Sequence, residues 1–106
     1  MGEKENAIQK AVLDLLKRKG IMACRHNRGG TYRRGHYYKF GGWDGSLDIQ
    51  MILPDGKSGW IETKTPIGKL SGDQKLFIKN VRGTKGIAFQ VVSAGHAERK
   101  LRYYGY

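Results

Sequence analysis

Cysteine and long apolar stretches are what this sequence most clearly lacks. Its single cysteine, Cys24, excludes an internal disulfide and is typical of a chain kept in a reducing compartment. No apolar run approaches the roughly 18 residues that span a bilayer. The first residues also lack the apolar stretch of a signal peptide. We therefore expect a cytoplasmic protein with no membrane partner.

Acidic residues are also scarce. Nine Asp and Glu face twenty Lys and Arg, which leaves a formal net charge of +11 on 106 residues. This length predicts one domain over residues 1–106. The charge predicts a polyanionic partner, most simply a nucleic acid. Carboxylates close to such a partner would repel its phosphates, so any that lie there need a reason, and metal binding is the usual one.

Hydrophobic periodicity predicts an α/β fold. Apolar residues from Ala7 to Leu16 form one helical stripe that Gly20 ends. Ser71 and Gln74 have the spacing of a capping box for a second helix, and Ser93 is placed to cap a third. The predicted order is α-β-β-β-α-β-α, a mixed β-sheet flanked by helices. The strands are expected at 21–25, 47–53, 59–64 and 87–92, and the later helices near 73–82 and 93–101.

Residues 26–45 combine glycines with arginines and tyrosines and are interpreted as a long loop. Its cations could neutralise phosphates and its tyrosines could stack on unpaired bases. The alternative is a solvated loop whose charge only aids solubility. Trp43 and Trp60 are interpreted as core or sheet-face packing. The loop residues expected to contact nucleic acid are Arg28, Arg33, Arg34 and Lys39, with Tyr32, Tyr37 and Tyr38 for stacking.

Three charged residues flank the predicted hairpin. If the turn at residues 54–57 places Asp48 opposite Glu62 or Lys64, all three side chains share one face. A register shifted by one residue would separate them, and the sequence leaves that register open. Two adjacent carboxylates suit Mg²⁺, with Lys64 aimed at the same water or phosphate. Solvated cross-strand pairs are the alternative.

Two segments that contain these charged residues resemble a motif of a known protein family. Gly45-Ser46-Leu47-Asp48 and Trp60-Ile61-Glu62-Thr63-Lys64 resemble the split motif of PD-(D/E)XK nucleases. More narrowly, the chain is similar to the VRR-NUC family, of the stand-alone phage or bacterial type. Leu47 stands where that family usually has Pro, and Val92 and Ser93 replace its name-giving arginines. Further similar segments are 5–9, 25–30, 65–74 and 89–92.

The resemblance implies a restriction-endonuclease-like core and a Mg²⁺-dependent DNA endonuclease that hydrolyses phosphodiester bonds, with Mn²⁺ able to substitute. Asp48, Glu62 and the backbone carbonyl of Thr63 become metal ligands, and Lys64 becomes the catalytic lysine. Glu5 would reach the site from the first helix, directly or through a water, and Gln74 would sit beside it. For these two, favouring a helix start and completing a capping box are the alternatives. The resemblance adds Arg25 and Lys69 to the expected nucleic-acid contacts.

The resemblance also implies a substrate class and an assembly. Stand-alone members are expected to act as homodimers on branched DNA such as four-way (Holliday) junctions. The aromatic residues of the C-terminus and the long loop offer a surface for pairing. The alternative is that they pack on their own domain or stack on DNA. A zinc site made of Cys24 and the histidines fits no usual spacing. The alternative function is a basic architectural module that binds nucleic acid without catalysis. The aromatic residues in question are Tyr37, Tyr38, Phe40, Tyr103, Tyr104 and Tyr106, and the histidines are His26, His36 and His96.

Overall fold

The computed structural model describes residues 3–26, 29–40 and 43–106. All helices and strands of the predicted order are present, with two further strands inside the segment interpreted as a loop. None of the helices within those ranges combines the length and apolarity that crossing a bilayer requires. The elements are α1 Glu3–Arg18, β1 Met22–Arg25, β2 Gly29–Arg33, β3 His36–Phe40, β4 Ile49–Ile52, β5 Ser58–Thr63, α2 Gly72–Gly83, β6 Ile87–Val91 and α3 Ala94–Tyr103.

The main sheet is mixed, as predicted, and has the strand order β1-β4-β5-β6. The β1–β4 and β4–β5 pairs are antiparallel, whereas β5 and β6 are parallel and joined through α2. Successive residues of β5 point to opposite faces, so Ile61 joins one core cluster and Trp60 the other. The first cluster includes Val12 and Leu16 of α1 with Leu101 of α3. The second contains Phe77, Ile78 and Val81 of α2.

The segment 26–45 is not an irregular loop throughout, so this part of the sequence interpretation was wrong. β2 and β3 form an antiparallel hairpin with Tyr32 opposite Tyr37. Arg34 and Gly35 make its turn with φ angles of 51° and 80°, and such two-residue turns match the twist of paired strands. Threonine and tyrosine favour strands on either side of that turn. The glycines and arginines obscured this signal.

The helix caps follow the sequence. Ser71 Oγ accepts from Gln74 N at 3.1 Å, and Gln74 Oε1 accepts from Ser71 N at 2.8 Å, so the predicted capping box begins α2. Ser93 Oγ accepts from His96 N at 3.0 Å and begins α3. Gly20, with φ 74°, follows α1, as predicted.

The C-terminal tyrosines divide between the core and the surface. Tyr104 and Tyr106 pack against the first core cluster, and Tyr106 Oη donates to Asp55 Oδ2 at 2.6 Å. Tyr103 is 81% exposed. For Tyr104 and Tyr106, packing on their own domain is therefore the correct alternative.

The turn that leads into β4 rests directly on the start of α2. Ser46 N donates to Trp43 O at 3.0 Å, and Gly45 occupies the third turn position with φ 74°. A Cβ atom at Gly45 would overlap the carbonyl group of Asp73 and lie 2.8 Å from Gln74 N. Only glycine satisfies both the positive φ and this backbone contact.

We expect Gly45→Ala to destabilise the fold strongly. The added methyl group must displace helix backbone while also adopting a strained φ, which together cost at least about 3 kcal/mol. The temperature of thermal unfolding should fall by about 10 °C or more. Gly20→Ala is the matched control, because Gly20 also has φ 74° but a Cβ there meets nothing within 4 Å. Equal losses for the two variants would contradict the tight contact at Gly45.

Candidate active site

The hairpin register places Asp48 beside Glu62. Ile49 pairs with Ile61 and Gln50 with Trp60, and the pairing continues without a bulge to Ile52 and Ser58. Extending that ladder by one residue sets Asp48, just before β4, opposite Glu62 in β5. The register that the sequence left open is therefore the one that brings the two carboxylates together.

Hydrogen bonds from neighbouring backbone hold the two carboxylates. Asp48 Oδ2 accepts from the backbone N–H of Thr63 at 3.1 Å and from the Thr63 hydroxyl at 3.0 Å. The Asp48 N–H donates to Glu62 Oε1 at 3.2 Å. Both acids are thus oriented by hydrogen bonds at the adjacent ends of β4 and β5.

Gln74 and Lys64 complete the cluster around Glu62. Gln74 Nε2 donates to Glu62 Oε2 at 2.9 Å, while its Oε1 serves the capping box of α2. One amide therefore belongs to the predicted capping box and also lies beside the carboxylates. Lys64 Nζ lies 3.3 Å from the same Glu62 oxygen, and its side chain is 19% exposed against 5% for Glu62. Lys64 is therefore more accessible to a ligand than Glu62, and Asp48 and Gln74 are also partly exposed.

Burial and the nearby Asp48 carboxylate raise the pKa of Glu62 to about 7, against the opposing effect of Lys64. Desolvation is the larger cause, since the carboxylate loses water when it is buried. The site therefore holds negative charge that the described residues do not fully compensate. This is the electrostatic situation that a bound cation relieves.

This pKa predicts a stability that depends on pH. A carboxyl group whose pKa rises on folding favours the folded state when protonated. Its contribution to the free energy of unfolding is therefore complete below about pH 4.5 and is lost as pH rises to about 7. The loss should reach about 3 kcal/mol. The side chain introduced by Glu62→Gln cannot ionise. In EDTA, the unfolding temperature of this variant minus that of wild type should therefore increase from pH 4.5 to pH 7.5.

The amide of Glu62→Gln also changes the free energy of unfolding by an amount that does not depend on pH, because its NH₂ group faces other donors at this position. Comparing the two pH values cancels that amount. Asp14→Asn is the control, because Asp14 is half-exposed in a surface ion pair with Lys10. A stability difference between Glu62→Gln and wild type that is the same at both pH values would contradict the raised pKa.

The donor set fits a hard divalent cation. The described residues contain no group of three or more His, Cys, Asp and Glu placed to hold a metal, so the site offers two carboxylates rather than a closed cage. Magnesium is typically held by one or two carboxylates together with waters and phosphate oxygens. Asp48 Oδ1 makes no hydrogen bond to the described residues. Asp48 and Glu62 therefore fit Mg²⁺ and do not fit a structural zinc site.

The remaining predicted site residues lie on other elements or outside the described residues. Glu5 is half-buried on α1, and its side chain forms no hydrogen bond or ion pair with the described residues. Arg25 at the end of β1, Arg34 at the β2–β3 turn and Lys69 after β5 are exposed. Arg28 lies outside the described residues. The side chains of Arg33, Lys39, Tyr32, Tyr37, Tyr38 and Phe40 also lie outside what the structure describes.

His26 is a neighbour of the site that sequence reasoning considered only as a zinc ligand. Its N–H donates to Asp48 O at 2.7 Å, which continues the β1–β4 ladder, and its ring meets Trp60 edge-on at 4.9 Å. His26 Nε2 is buried without a hydrogen-bond partner among the described residues. The sequence signal that could have placed His26 beside the site was its position in the segment 25–30, which carries part of the family resemblance.

Comparison with known proteins places this geometry in a fold. No protein-family model matches the sequence, and no curated protein matches it. A solved structure titled "VRR_NUC domain" superposes with a TM-score of 0.70 over 97% of this chain and 99% of that one, at 20% identity. The chain has the VRR_NUC fold. The predicted α/β class with its helix-flanked mixed sheet is thereby confirmed.

The two departures from the family motif are structural within this VRR_NUC fold. Leu47, in the place of the usual Pro, is 1% exposed and packs with Trp60 in the second core cluster. Ser93, in the place of an arginine, caps α3. Neither departure touches the carboxylate pair.

Proposed function

We propose that this chain is a divalent-metal-dependent DNA endonuclease of the VRR-NUC family that hydrolyses phosphodiester bonds. The observation that carries the proposal is the adjacent carboxylates of partly exposed Asp48 and buried Glu62, with Lys64 Nζ beside one Glu62 oxygen. A purely architectural binder gains nothing from two acids beside its phosphate-binding surface. The net charge of +11 supplies the attraction for DNA.

Each member of the cluster has a distinct part in the proposed reaction. Asp48 and Glu62 would hold Mg²⁺, with the Thr63 carbonyl as a further ligand and Glu5 contributing through a water. The bound metal ion would polarise the scissile phosphate and lower the pKa of an attacking water. Lys64 orients that water or neutralises charge that develops on the phosphate. Gln74 holds the Glu62 carboxylate by a hydrogen bond, and the Thr63 hydroxyl holds that of Asp48.

Metal-dependent strand cutting is the direct test. Linear duplex, flapped duplex and four-way junction DNA are incubated with the protein in Mg²⁺, Mn²⁺ or EDTA, and products are resolved on denaturing gels. Cuts in both metals and none in EDTA are expected, with faster cutting of branched DNA. Binding without metal-dependent cuts would support the architectural alternative instead.

A homodimer is the proposed working unit. One metal centre cuts one strand, so two centres related by a two-fold axis are the simplest way to cut both strands of a duplex or junction. Exposed Tyr103 remains available for such pairing. Light scattering coupled to size exclusion, at micromolar protein without DNA, should give twice the 11.9 kDa chain mass. The monomer mass at all concentrations would leave a nickase that cuts one strand.

A further inference from the structure

An open cavity of about 520 Å³ lies between α2 and the β4–β5 hairpin. Trp43, Trp60 and Phe77 line its apolar side. Gln50 of β4 and Asn80 of α2 contribute amide groups. The cavity thus combines aromatic walls with hydrogen-bond donors and acceptors, which is the composition of a site for a planar polar ligand.

Trp43 leaves much of its ring open. Its indole meets Trp60 at 6.2 Å with an interplanar angle of 74° and Phe77 at 6.1 Å with 41°. Trp60 is 2% exposed, whereas Trp43 is 67% exposed. The sequence interpretation of Trp60 as core is therefore correct, and that of Trp43 is correct only for the part of its ring that meets the other two.

The cavity is adjacent to the carboxylate pair. Trp60 lies two residues before Glu62 on β5, and alternate strand residues project from the same face about 7 Å apart. Trp43 is fixed at the start of the turn that leads to Asp48. A strand of DNA whose phosphate lies at the carboxylates can therefore extend along this face toward the indole.

We propose that this cavity binds an unpaired nucleobase of the strand that is cut. The proposal rests on the proposed function, since the carboxylate pair locates the strand. Asp44 and Asp73 border the cavity, so its charge disfavours a phosphate but not a neutral base. A base within a duplex is stacked and paired, and only a strand with unpaired nucleotides presents one to Trp43.

Two oligomers of equal charge test this directly. Decathymidylate and a ten-residue abasic deoxyribose phosphate carry the same phosphates, but only the first has bases. In EDTA, wild type should bind decathymidylate more tightly by about five- to a hundredfold. Trp43→Ala should remove most of that preference, and Trp43→Phe should restore part of it. Fluorescence anisotropy at fixed salt measures both affinities.

Met22→Ala is the matched control, because Met22 is also a large exposed apolar residue, 71% exposed, and lies on β1. It should keep the full preference. A preference unchanged in Trp43→Ala, or an equal loss of affinity for both oligomers, would overturn the proposal. Thermal unfolding within a few degrees of wild type verifies that the variant is folded. Since binding is measured without metal, failure of cleavage and failure of base binding are separate results.

Discussion

Replacing Asp48 with Asn, or Glu62 with Gln, is expected to lower the rate of DNA cleavage by about a thousandfold or more. Each change removes one anionic oxygen donor from a site that offers two, so the metal affinity falls and the phosphate loses its electrophilic partner. DNA binding should persist or strengthen, because each change also removes a negative charge that repels phosphate. Single-turnover cleavage in Mg²⁺ and anisotropy in EDTA separate the two effects.

Surface acids supply the charge-matched controls for this experiment. Asp14→Asn on α1 and Glu98→Gln on α3 also remove one negative charge, but both residues are in surface ion pairs of their own helices. They should cleave at the wild-type rate. Cleavage near that rate in Asp48→Asn would show that the reaction takes place elsewhere on the chain.

The main sheet and helices were predictable because their signals are local. The capping box at Ser71 and the apolar stripe of α1 each depend on residues within one or two turns of chain. The β2–β3 hairpin was not predicted, since its glycine and arginine content resembles that of a loop. Its turn uses Arg34 with positive φ, where asparagine or aspartate is the usual sequence signal.

The site was predictable in composition but not in register. Spacing alone could not decide whether Asp48 faces Glu62, because a shift of one residue reverses every side chain of a strand. The position of His26 depends on the pairing of β1 with β4, two strands separated by the hairpin. Such long-range contacts leave no periodic trace in the sequence. Gln74 was singled out by the capping-box spacing and by the family resemblance, and its contact with Glu62 is visible only in the structure.

Lys64→Ala is expected to lower cleavage by about a hundredfold or more. Two effects contribute. Lys64 lowers the pKa of Glu62, so its removal leaves more of that carboxyl protonated at pH 7 and weakens metal binding. Its removal also deletes the only accessible cation that contacts the carboxylate pair among the described residues. These effects have different pH dependences, which allows them to be measured separately.

Raising the pH separates the two roles of Lys64. At pH 8.5, above the wild-type Glu62 pKa of about 7, a larger fraction of Glu62 is ionised in the variant, so Mn²⁺ affinity measured by calorimetry should move toward that of wild type. Cleavage should stay low, because no other described group replaces the ammonium near the phosphate. Lys79→Ala, which removes an equal charge from the exposed face of α2, should cleave normally at both pH values. Recovery of cleavage together with Mn²⁺ binding would instead show that Lys64 only tunes the ionisation of Glu62.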